Sequence, residues 1–447
     1  MNNIYPKYKP SGIEWIVEVP EHWNVKKLKY IALVQPSNVD KKTNEGEQDV
    51  LLCNYVDVYK NEFIDDSINF MEATANENEV EKFRLQNGDV LITKDSETPQ
   101  EIAIPAYVKI EKPNLLCGYH LAQIRSFPYV LYGEYLFRLF QAKDFNINFE
   151  IAANGITRYG LGIDAVKDVG VILPPLSEQT AIAAYLDDKT AQIDSLISKK
   201  QKMIELLKEE LIAEINHTVT KGLNPDVKMK DSGVEWIGDI PVHWDIARIT
   251  NVCKIFGRIG YRGYTISDIV QEGEGVVSLS PSNILGQVIV HKEDTYITWE
   301  KYFESPEIQI FPDDIVLVKT GSTIGKVAII PPGEPEMTLN PQLVVLKNIL
   351  QYPKFLYYIM TASYFQSYFD IYTAGGSTPA ISQEKINNFR IVFPASVSEQ
   401  TSISNYLDDK TTEFDLTIKK IGSEIELLQQ YRTALISEVV SGKICVT

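Results

Sequence analysis

Three segments of the chain approach the residue patterns of catalytic or nucleotide-binding sites without completing them. Residues 340–343 (NPQL) approach the Asn/Asp-Pro-Pro-Tyr/Phe motif with which adenine methyltransferases hold a flipped base, but they lack the second proline and the aromatic residue. Residues 321–327 follow a predicted strand and approximate a phosphate-binding loop, yet they have three residues between the glycines where such a loop has four, and Val327 follows the lysine. The pairs Asp187-Asp188 and Asp408-Asp409 each precede a lysine, as in a nuclease D-x-K motif, but no upstream Pro-Asp accompanies them. The sequence therefore predicts no catalytic residue in this chain.

Histidine and cysteine residues form no recognisable ligand set. The five histidines, at positions 22, 120, 217, 243 and 291, show neither metal-ligand spacing nor a catalytic partner. The four cysteines, Cys53, Cys117, Cys253 and Cys445, form no CxxC motif and no Cys/His cluster. We expect buried free thiols, with no metal site and no disulfide framework.

Two motifs occur twice, at one spacing. SGIEWIVEVPEHW at 11–23 returns as SGVEWIGDIPVHW at 232–244, and SEQTAIAAYLDDKT at 177–190 returns as SEQTSISNYLDDKT at 398–411. We call them the Trp motif and the helix motif. The two copies match at 8 of 13 and 11 of 14 positions, whereas the inserts between the motifs differ strongly. Two similar frames thus hold two different inserts, which favours two different recognition surfaces.

Each helix motif opens a long helix with a coiled-coil seam. Apolar residues recur at steps of three and four along both segments. We predict helices of about 35 to 40 residues that pack on each other as a rigid spacer, and the Trp motifs are expected to pack on them. The seam positions are Ile182, Leu186, Ile193, Ile197, Ile204, Leu207, Leu211 and Ile215 in the first copy, and Phe414, Ile418, Ile421, Ile425, Leu428, Leu435 and Val439 in the second, where Arg432 interrupts the seam and Lys200 matches Ile421.

The inserts are predicted to be mixed α/β. The first has strand signals at 50–58 and 89–93 before a helical stretch at 134–141, and the second has them at 276–279, 315–319 and 343–346 before a Tyr-rich helical stretch at 354–369. The fold class is therefore α+β, with two pseudo-repeated mixed α/β domains separated by two long antiparallel helices that form a coiled-coil spacer. We place the first domain at 1–173, the central helix and linker at 174–230, the second domain at 231–393 and the final helix at 394–447.

Composition limits the classes of partner. The net charge of −17 argues against a protein that coats nucleic acid non-specifically, although an acidic surface can coexist with a basic cleft. No apolar run reaches the roughly 18 to 20 residues needed to span a bilayer, and the amino terminus lacks the apolar stretch of a signal peptide. We expect a cytoplasmic protein with no membrane partner.

The two motifs, the Gly-x-Thr/Ser segment before the apolar strand that closes each insert, and the duplication itself resemble the DNA specificity subunit of a type I restriction-modification enzyme. The resemblance covers essentially the whole chain, and four of its five tryptophans lie in the Trp motifs. It implies that each insert is a target-recognition domain for one half of a split site on double-stranded DNA, while the helices form the spacer. It also implies a chain without its own activity or cofactor, with methyltransferase and motor-nuclease subunits as partners that use S-adenosylmethionine, ATP and Mg. A pseudo-twofold placement of the repeats would give two equivalent docking surfaces, so we expect two methyltransferase subunits per chain.

Candidate DNA-binding residues are donors and acceptors on predicted loops. Arginine and lysine suit guanine, asparagine and glutamine suit adenine, and glycine-rich backbone can approach phosphate. The candidates in the first insert are Lys94, Ser96, Asn154, Thr157, Arg158 and Tyr159. Those in the second are Arg258, Tyr261, Arg262, Tyr264, Lys319, Ser322, Thr323, Lys326, Ser377 and Thr378. A phosphate role for residues 94–98 is doubtful, because Pro99 and Glu101 stand opposite Ile324 and Lys326; turns shaped for folding alone are the alternative throughout.

Residues of the repeated motifs are candidates for structural or partner-binding roles. They are Trp15, Trp23, Trp236, Trp244, Glu178, Gln179, Asp187, Glu399, Gln400 and Asp408. A different class of function remains open at this point, because a duplicated coiled-coil adaptor that never touches DNA would also carry the repeats and the acidic charge. Only the adaptor would bind its partners independently of DNA sequence.

Overall fold

The computed structural model describes residues 4–258, 260–286, 288–373 and 379–446, without the side chain of Tyr261. The chain divides into two units, residues 1–201 with 422–447 and residues 202–421. Each unit contains one Trp motif, one insert, and a stretch of both long helices. The expected α+β class with two pseudo-repeated domains is confirmed.

The first half of the chain contains fifteen strands and six α-helices within its described residues. The strands are β1 (Tyr8–Ile13), β2 (Ile16–Pro20), β3 (Asn24–Lys27), β4 (Ala32–Pro36), β5 (Gln48–Cys53), β6 (Phe63–Ile64), β7 (Met71–Ala75), β8 (Val90–Thr93), β9 (Asp95–Ser96), β10 (Pro105–Val108), β11 (Leu115–Cys117), β12 (Leu121–Ser126), β13 (Ala153–Asn154), β14 (Tyr159–Leu161) and β15 (Gly170–Leu173). The helices are α1 (Tyr55–Lys60), α2 (Glu77–Phe83), α3 (Gly133–Gln141), α4 (Lys143–Ala152), α5 (Ile163–Asp168) and α6 (Leu176–Lys221).

The second half follows the same plan. Its strands are β16 (Met229–Asp231), β17 (Asp239–Pro241), β18 (Trp244–Arg248), β19 (Lys254–Gly257), β20 (Ile269–Val270), β21 (Gly275–Leu279), β22 (Ile284–Leu285), β23 (Val288–Ile289), β24 (Tyr296–Thr298), β25 (Ile315–Val318), β26 (Val327–Ile329), β27 (Met337–Leu339), β28 (Leu343–Lys347) and β29 (Arg390–Pro394). Its helices are α7 (Ile249–Val252), α8 (Trp299–Glu304), α9 (Pro353–Thr361), α10 (Ser363–Thr373), α11 (Gln383–Asn387) and α12 (Val397–Val440).

The inserts share a sheet topology although their sequences differ. The main sheet has the order β4-β12-β8-β10-β6 in the first insert and β19-β28-β25-β26 in the second. A second sheet pairs β5 in parallel with β11 and antiparallel with β7, and the other copy pairs β21 in parallel with β27 and antiparallel with β24. The pairing is thus set by the alternation of apolar residues, which tolerates many sequences.

Each insert is closed by a pair of strands next to the long helices. Strand β3, directly after the first Trp motif, pairs antiparallel with β15, and β18 pairs in the same way with β29. Because β15 and β29 lead into α6 and α12, the chain enters and leaves each insert at one place.

The long helices exceed the predicted length. Helix α6 has 46 residues and α12 has 44, or about 69 and 66 Å at 1.5 Å per residue. In the first unit the two run antiparallel, since Asp194 pairs with Arg432 and Lys200 pairs with Glu424. The described seam positions are buried or half-buried. The two charged seam residues, Lys200 and Arg432, form ion pairs with residues of the other helix.

Two predicted elements differ from the structure. The strand expected at 50–58 ends at Cys53, because Asn54 and Asp57 form a capping box that starts α1. The Tyr-rich helix expected at 354–369 is broken at Ala362, whose extended backbone (φ −66°, ψ 145°) ends α9 before α10 begins. Apolar periodicity continues through both breaks, so it could not reveal them.

The Trp motif and the helix motif are joined by a buried indole. Trp23 Nε1 donates to Glu178 Oε2 at 3.0 Å, and Trp244 Nε1 donates to Glu399 Oε1 at 3.0 Å. Both indoles are 0% exposed. His22 and His243 lie within 3.0 Å of the same carboxylates. The glutamate in the first turn of each long helix thus fixes the start of each insert.

A glycine at the end of the other long helix covers each indole. Gly222 follows α6 and Gly442 follows α12, both with φ of +76°. A Cβ on Gly442 would lie 2.6 Å from Pro20 and 3.0 Å from Trp23, and one on Gly222 would lie 3.3 Å from Trp244. Each of these two positions therefore requires glycine for two reasons: the left-handed backbone at the helix end and the close approach of the indole.

We predict that Gly442→Ala and Gly222→Ala both lower the unfolding midpoint. The left-handed backbone costs an alanine about 1 kcal/mol, and Gly442→Ala should cost more because its Cβ contacts are shorter. The control is Gly422→Ala inside α12, where a Cβ meets nothing within 4 Å and the gain in helix propensity is about 1 kcal/mol. Thermal unfolding of the three variants measures the order, and a midpoint for Gly442→Ala at or above that of Gly222→Ala would contradict it.

Candidate nucleic-acid interface

Three loops converge at equivalent places in the two inserts. Loop A follows β8 or β25 and comprises residues 94–101 or 319–326. Loop B lies between β11 and β12 or between β27 and β28, at residues 118–120 or 340–342. Loop C precedes α5 or α11, at residues 154–161 or 374–381, of which 374–378 lie outside the described residues.

Main-chain hydrogen bonds join the loops in the first insert. The Lys94 N–H donates to the His120 carbonyl at 3.0 Å, and the Leu161 N–H donates to the Lys94 carbonyl at 2.7 Å. Strand β9 in loop A also pairs with β14 at the end of loop C. The segments 94–98 and 154–159, each singled out from sequence, are therefore adjacent.

The second insert repeats this arrangement. The Lys319 N–H donates to the Gln342 carbonyl at 2.9 Å, and the Ile381 N–H donates to the Lys319 carbonyl at 2.9 Å. Thr320 bridges to Ala380, which brings loop A to the described end of loop C. A lysine main chain thus connects all three loops in both inserts.

His120 and Tyr119 of loop B were not among the DNA-binding residues predicted from sequence. His120 Nδ1 lies 2.8 Å from Asp95 Oδ2, and Arg158 Nη2 lies within 3.4 Å of both ring nitrogens. His120 has a left-handed backbone (φ +74°), which is unfavourable for a residue with a side chain and concentrates at functional sites. The Lys94 ammonium lies 5.0 Å from the centre of the Tyr119 ring. The available signal was the position of both residues directly after a buried strand.

The predicted DNA-binding residues fall into three groups by exposure. Those with exposed side chains are Asn154, Thr157, Arg158 and Ser322, and those with half-buried side chains are Lys94, Tyr159, Arg262, Tyr264, Lys319, Thr323 and Lys326. Ser96 and Arg258 are buried. Ser377, Thr378 and the side chain of Tyr261 lie outside the described part of the chain.

Ser96 does not present its side chain to a ligand. Its hydroxyl donates to Glu101 Oε2 at 2.7 Å, and Tyr59 donates to the other oxygen of the same carboxylate. These hydrogen bonds, from Ser96 first and then Tyr59, hold the pKa of Glu101 below its usual value. Loop A of the first insert therefore carries an ionised carboxylate, which disfavours phosphate.

Arg258 is a buried structural residue. It donates to the Leu339 carbonyl at 2.7 Å and to Thr338 Oγ1 at 3.1 Å, at the end of β27. Burial lowers the pKa of its guanidinium. Ser37 has the equivalent role in the first insert, because it follows β4 and donates to the Cys117 carbonyl at the end of β11. Both side chains hold the strand that leads into loop B.

Two further basic candidates already have internal contacts. Arg262 Nη1 lies 3.2 Å from Glu307 Oε1, and Lys326 Nζ donates to the Ile284 carbonyl at 3.4 Å. Gly325, which directly precedes Lys326 in loop A, has a φ of +88°, and a Cβ there would lie 2.5 Å from Gln366 Oε1. Packing against Gln366 thus explains the glycine at position 325.

The helix motifs carry anchoring side chains. Gln179 accepts from the Tyr132 N–H and donates to the Pro174 carbonyl, each at 2.8 Å, and Gln400 makes the same two bonds with Tyr352 and Pro394. The remaining motif residues have the following contacts. Asp187 binds Arg138, Asp408 binds Lys354 and Tyr358, Trp15 donates to the Gly170 carbonyl, and Trp236 packs edge-on against Tyr368.

No cluster of three or more His, Cys, Asp or Glu suited to a metal occurs among the described residues. Cys53, Cys117 and Cys253 are buried free thiols as expected, whereas Cys445 is only half-buried. None of the helices in the described ranges combines the length and apolar character that crossing a bilayer requires.

The sequence model of the type I restriction modification DNA specificity domain matches the chain twice, at residues 20–206 and 241–427. Those two matches cover both inserts and most of both long helices. The chain belongs to this family. It is thus a specificity subunit with two DNA specificity domains, in a class of subunit that is itself non-catalytic.

Curated relatives are similar over nearly their full length. The chain is 25% identical over 434 residues to the putative type I restriction enzyme MjaX specificity subunit of Methanocaldococcus jannaschii, covering 96% of this chain and 95% of that subunit. It is 24% identical over 445 residues to the MjaVIII specificity subunit of the same organism, covering 96% and 94%.

Solved structures share the fold. One from a study of complex assembly and conformational transition of the type I R-M system has a TM-score of 0.72 at 15% identity, covering 95% of this chain and 99% of the other. The HsdS subunit from Thermoanaerobacter tengcongensis has a TM-score of 0.54 at 16% identity, covering 95% and 98%.

His291 connects two segments of the second insert beside the sheet β20-β24-β21-β27. His291 Nδ1 lies 2.7 Å from Asp294 Oδ2, and Nε2 lies 2.6 Å from Glu334 Oε2. Burial lowers the His291 pKa, but the hydrogen bonds to Glu334 and Asp294 outweigh it, so the pKa is raised. The imidazolium therefore joins the loop before β24 to the turn before β27.

We predict that the stability supplied by His291 decreases as pH rises. A raised folded-state pKa contributes fully below the unfolded value of about 6.5 and is lost as pH passes through the folded value. The difference in unfolding midpoint between wild type and His291→Gln should therefore shrink between pH 6 and pH 9. His217→Gln, at an exposed position on α6, is the control. A difference that grows with pH would contradict this assignment.

Proposed function

We propose that each insert reads one half of a bipartite site on double-stranded DNA, with loops A, B and C directed at the bases. The observation that carries the proposal is the twofold match to a DNA specificity domain, with two inserts that share topology and differ in their loops. The recognition domains on this proposal are residues 1–173 and 231–393, and the segments 174–230 and 394–447 join them.

The long helices set the spacer and bind partner subunits in this proposal. Two similar Trp-motif and helix-motif junctions offer two equivalent surfaces, which favours two methyltransferase subunits per chain. Adenine methylation with S-adenosylmethionine then occurs in those subunits, and cleavage with ATP and Mg occurs in motor-nuclease subunits that join the complex. Native mass spectrometry of the purified complex measures the count, and a one-to-one assembly would contradict it.

An acidic chain can still bind DNA through local contacts. In each insert the N–H and carbonyl groups of Lys94 or Lys319 join the loops. The first insert adds the exposed Arg158 and Thr157, and the second adds the exposed Ser322. Neutral side chains and main-chain N–H groups bind phosphate without a net positive charge. The net charge of −17 repels non-specific DNA elsewhere, so affinity depends on a matching site. We propose a cytoplasmic location for this activity.

Exchange of one insert should change one half of the methylated site. N6-methyladenine is mapped by long-read sequencing in cells with this chain and its methyltransferase subunit, and in cells with the methyltransferase alone. We expect a new split motif whose halves change separately when residues 24–173 or 245–393 are replaced. A stable complex that yields no new motif would favour the adaptor over a DNA reader.

Arg158→Ala and Arg262→Ala should each weaken specific DNA binding by the assembled complex. Removing an arginine that contacts a base costs about 1 to 3 kcal/mol, which is measured as a shift in Kd at fixed salt. Arg390→Ala removes the same charge from an exposed position on β29, so it is the matched control and should bind like wild type. Wild-type affinity in both loop variants would remove these arginines from the interface.

A further inference from the structure

Loop B ends on a different residue in each insert, at an equivalent position. His120 and Gln342 each precede the strand beside β8 or β25, and each carbonyl accepts from the lysine of loop A. The start of loop B is equivalent too, since the Gly118 N–H donates to the Cys53 carbonyl and the Asn340 N–H to the Leu279 carbonyl. The main-chain hydrogen bonds are therefore the same in both inserts, while the side chains differ.

In the first insert this side chain positions an arginine. Asp95 Oδ2 lies 2.8 Å from His120 Nδ1, and Arg158 Nη2 lies 3.2 Å from Nδ1 and 3.4 Å from Nε2, so the ring contacts both the carboxylate and the guanidinium. The Arg158 side chain is otherwise exposed. A guanidinium held at one nitrogen retains the paired donors that match guanine O6 and N7.

In the second insert the equivalent side chain is itself an amide. Asn340 Nδ2 donates to Gln342 Oε1 at 3.2 Å, and Asn340 Oδ1 accepts from the Gln342 N–H at 2.8 Å. The Gln342 side chain is exposed. An amide held in this way retains a donor pair and one acceptor lone pair, which match adenine N7 and N6.

We infer that the last residue of loop B determines base specificity in each insert. His120 is a positioning residue that fixes Arg158 on a guanine of the first half-site, and Gln342 contacts an adenine of the second half-site directly. The inference rests on the proposed function of the inserts as DNA readers. It adds which loop discriminates bases and which base chemistry each insert selects.

The left-handed backbone of His120 agrees with this assignment. Its φ of +74° lies in the left-handed region, whereas Gln342 is not among the described residues with positive φ. Asp95 on one side and the main-chain bond from Lys94 on the other keep His120 in place. A side chain placed at the cost of backbone strain is expected where its position matters for function.

The test maps methylated motifs for single variants in the complete complex. His120→Ala should relax one guanine position of the first half-site, lowering its discrimination by about 5- to 150-fold, the range of one bidentate contact. Gln342→Glu keeps the shape but offers only acceptors, so one adenine position of the second half-site should be lost in favour of cytosine, whose amino group donates. The other half-site should be unchanged in each case.

Matched controls separate readout from folding. Asn78→Ala in the first insert and Gln271→Ala in the second change exposed polar residues outside the loops and should leave the motif unchanged. His120→Gln places the residue of the other insert in the first and keeps a ring-sized polar side chain, so it tests the position if His120→Ala fails to fold. Complex formation with the methyltransferase is measured for every variant.

The outcomes distinguish the inference from the function on which it rests. A change confined to one base position of the expected half-site supports the inference. An unchanged motif in folded His120→Ala, His120→Gln and Gln342→Glu complexes, or a change spread over both half-sites, would overturn it and leave the function intact. A wild-type complex that methylates no split motif contradicts the function itself.

Discussion

The indole-to-carboxylate hydrogen bond in each unit is the contact on which the rest of the structure depends. Trp23 and Trp244 are fully buried, and a buried N–H without an acceptor costs about 1 to 3 kcal/mol. Glu178 and Glu399 supply the acceptor from the first helical turn, where the helix dipole also favours a carboxylate. Strand β3 begins directly after Trp23, and β18 begins at Trp244 itself. The bond therefore sets where each insert starts relative to the helix that follows it.

The inserts can diverge because their loops are joined by main-chain atoms. Lys94 and Lys319 connect loops A, B and C through N–H and carbonyl groups, and these groups are present whatever the side chains are. Ser37 and Arg258 hold the same strand end with different chemistry. A scaffold of this kind lets the exposed side chains change without a change of loop position, as a protein that must acquire new specificities requires.

Sequence predicted the features that depend on periodicity and repetition. The two frames, the apolar seams of α6 and α12 and the main strands are visible because burial imposes a period on apolar residues. Arg258 is buried, and the His120 ring contacts Asp95 and Arg158. Both features depend on contacts between segments far apart in the chain. The periodicity of a single sequence does not reveal which loops meet. Of the candidate side chains chosen from sequence, Ser96 and Arg258 are buried, and periodicity gave no sign of it.

The division of the long helices affects how the chain acquires its fold during synthesis. The second unit is one continuous stretch, 202–421, whereas the first needs residues 422–447 to complete its core with Leu435, Ile436 and Val439. Those three residues are translated more than four hundred positions after the Trp motif that they help to enclose. The second unit can thus condense on the ribosome while the first still exposes apolar surface, which makes the first unit the one with high contact order and the slower closure.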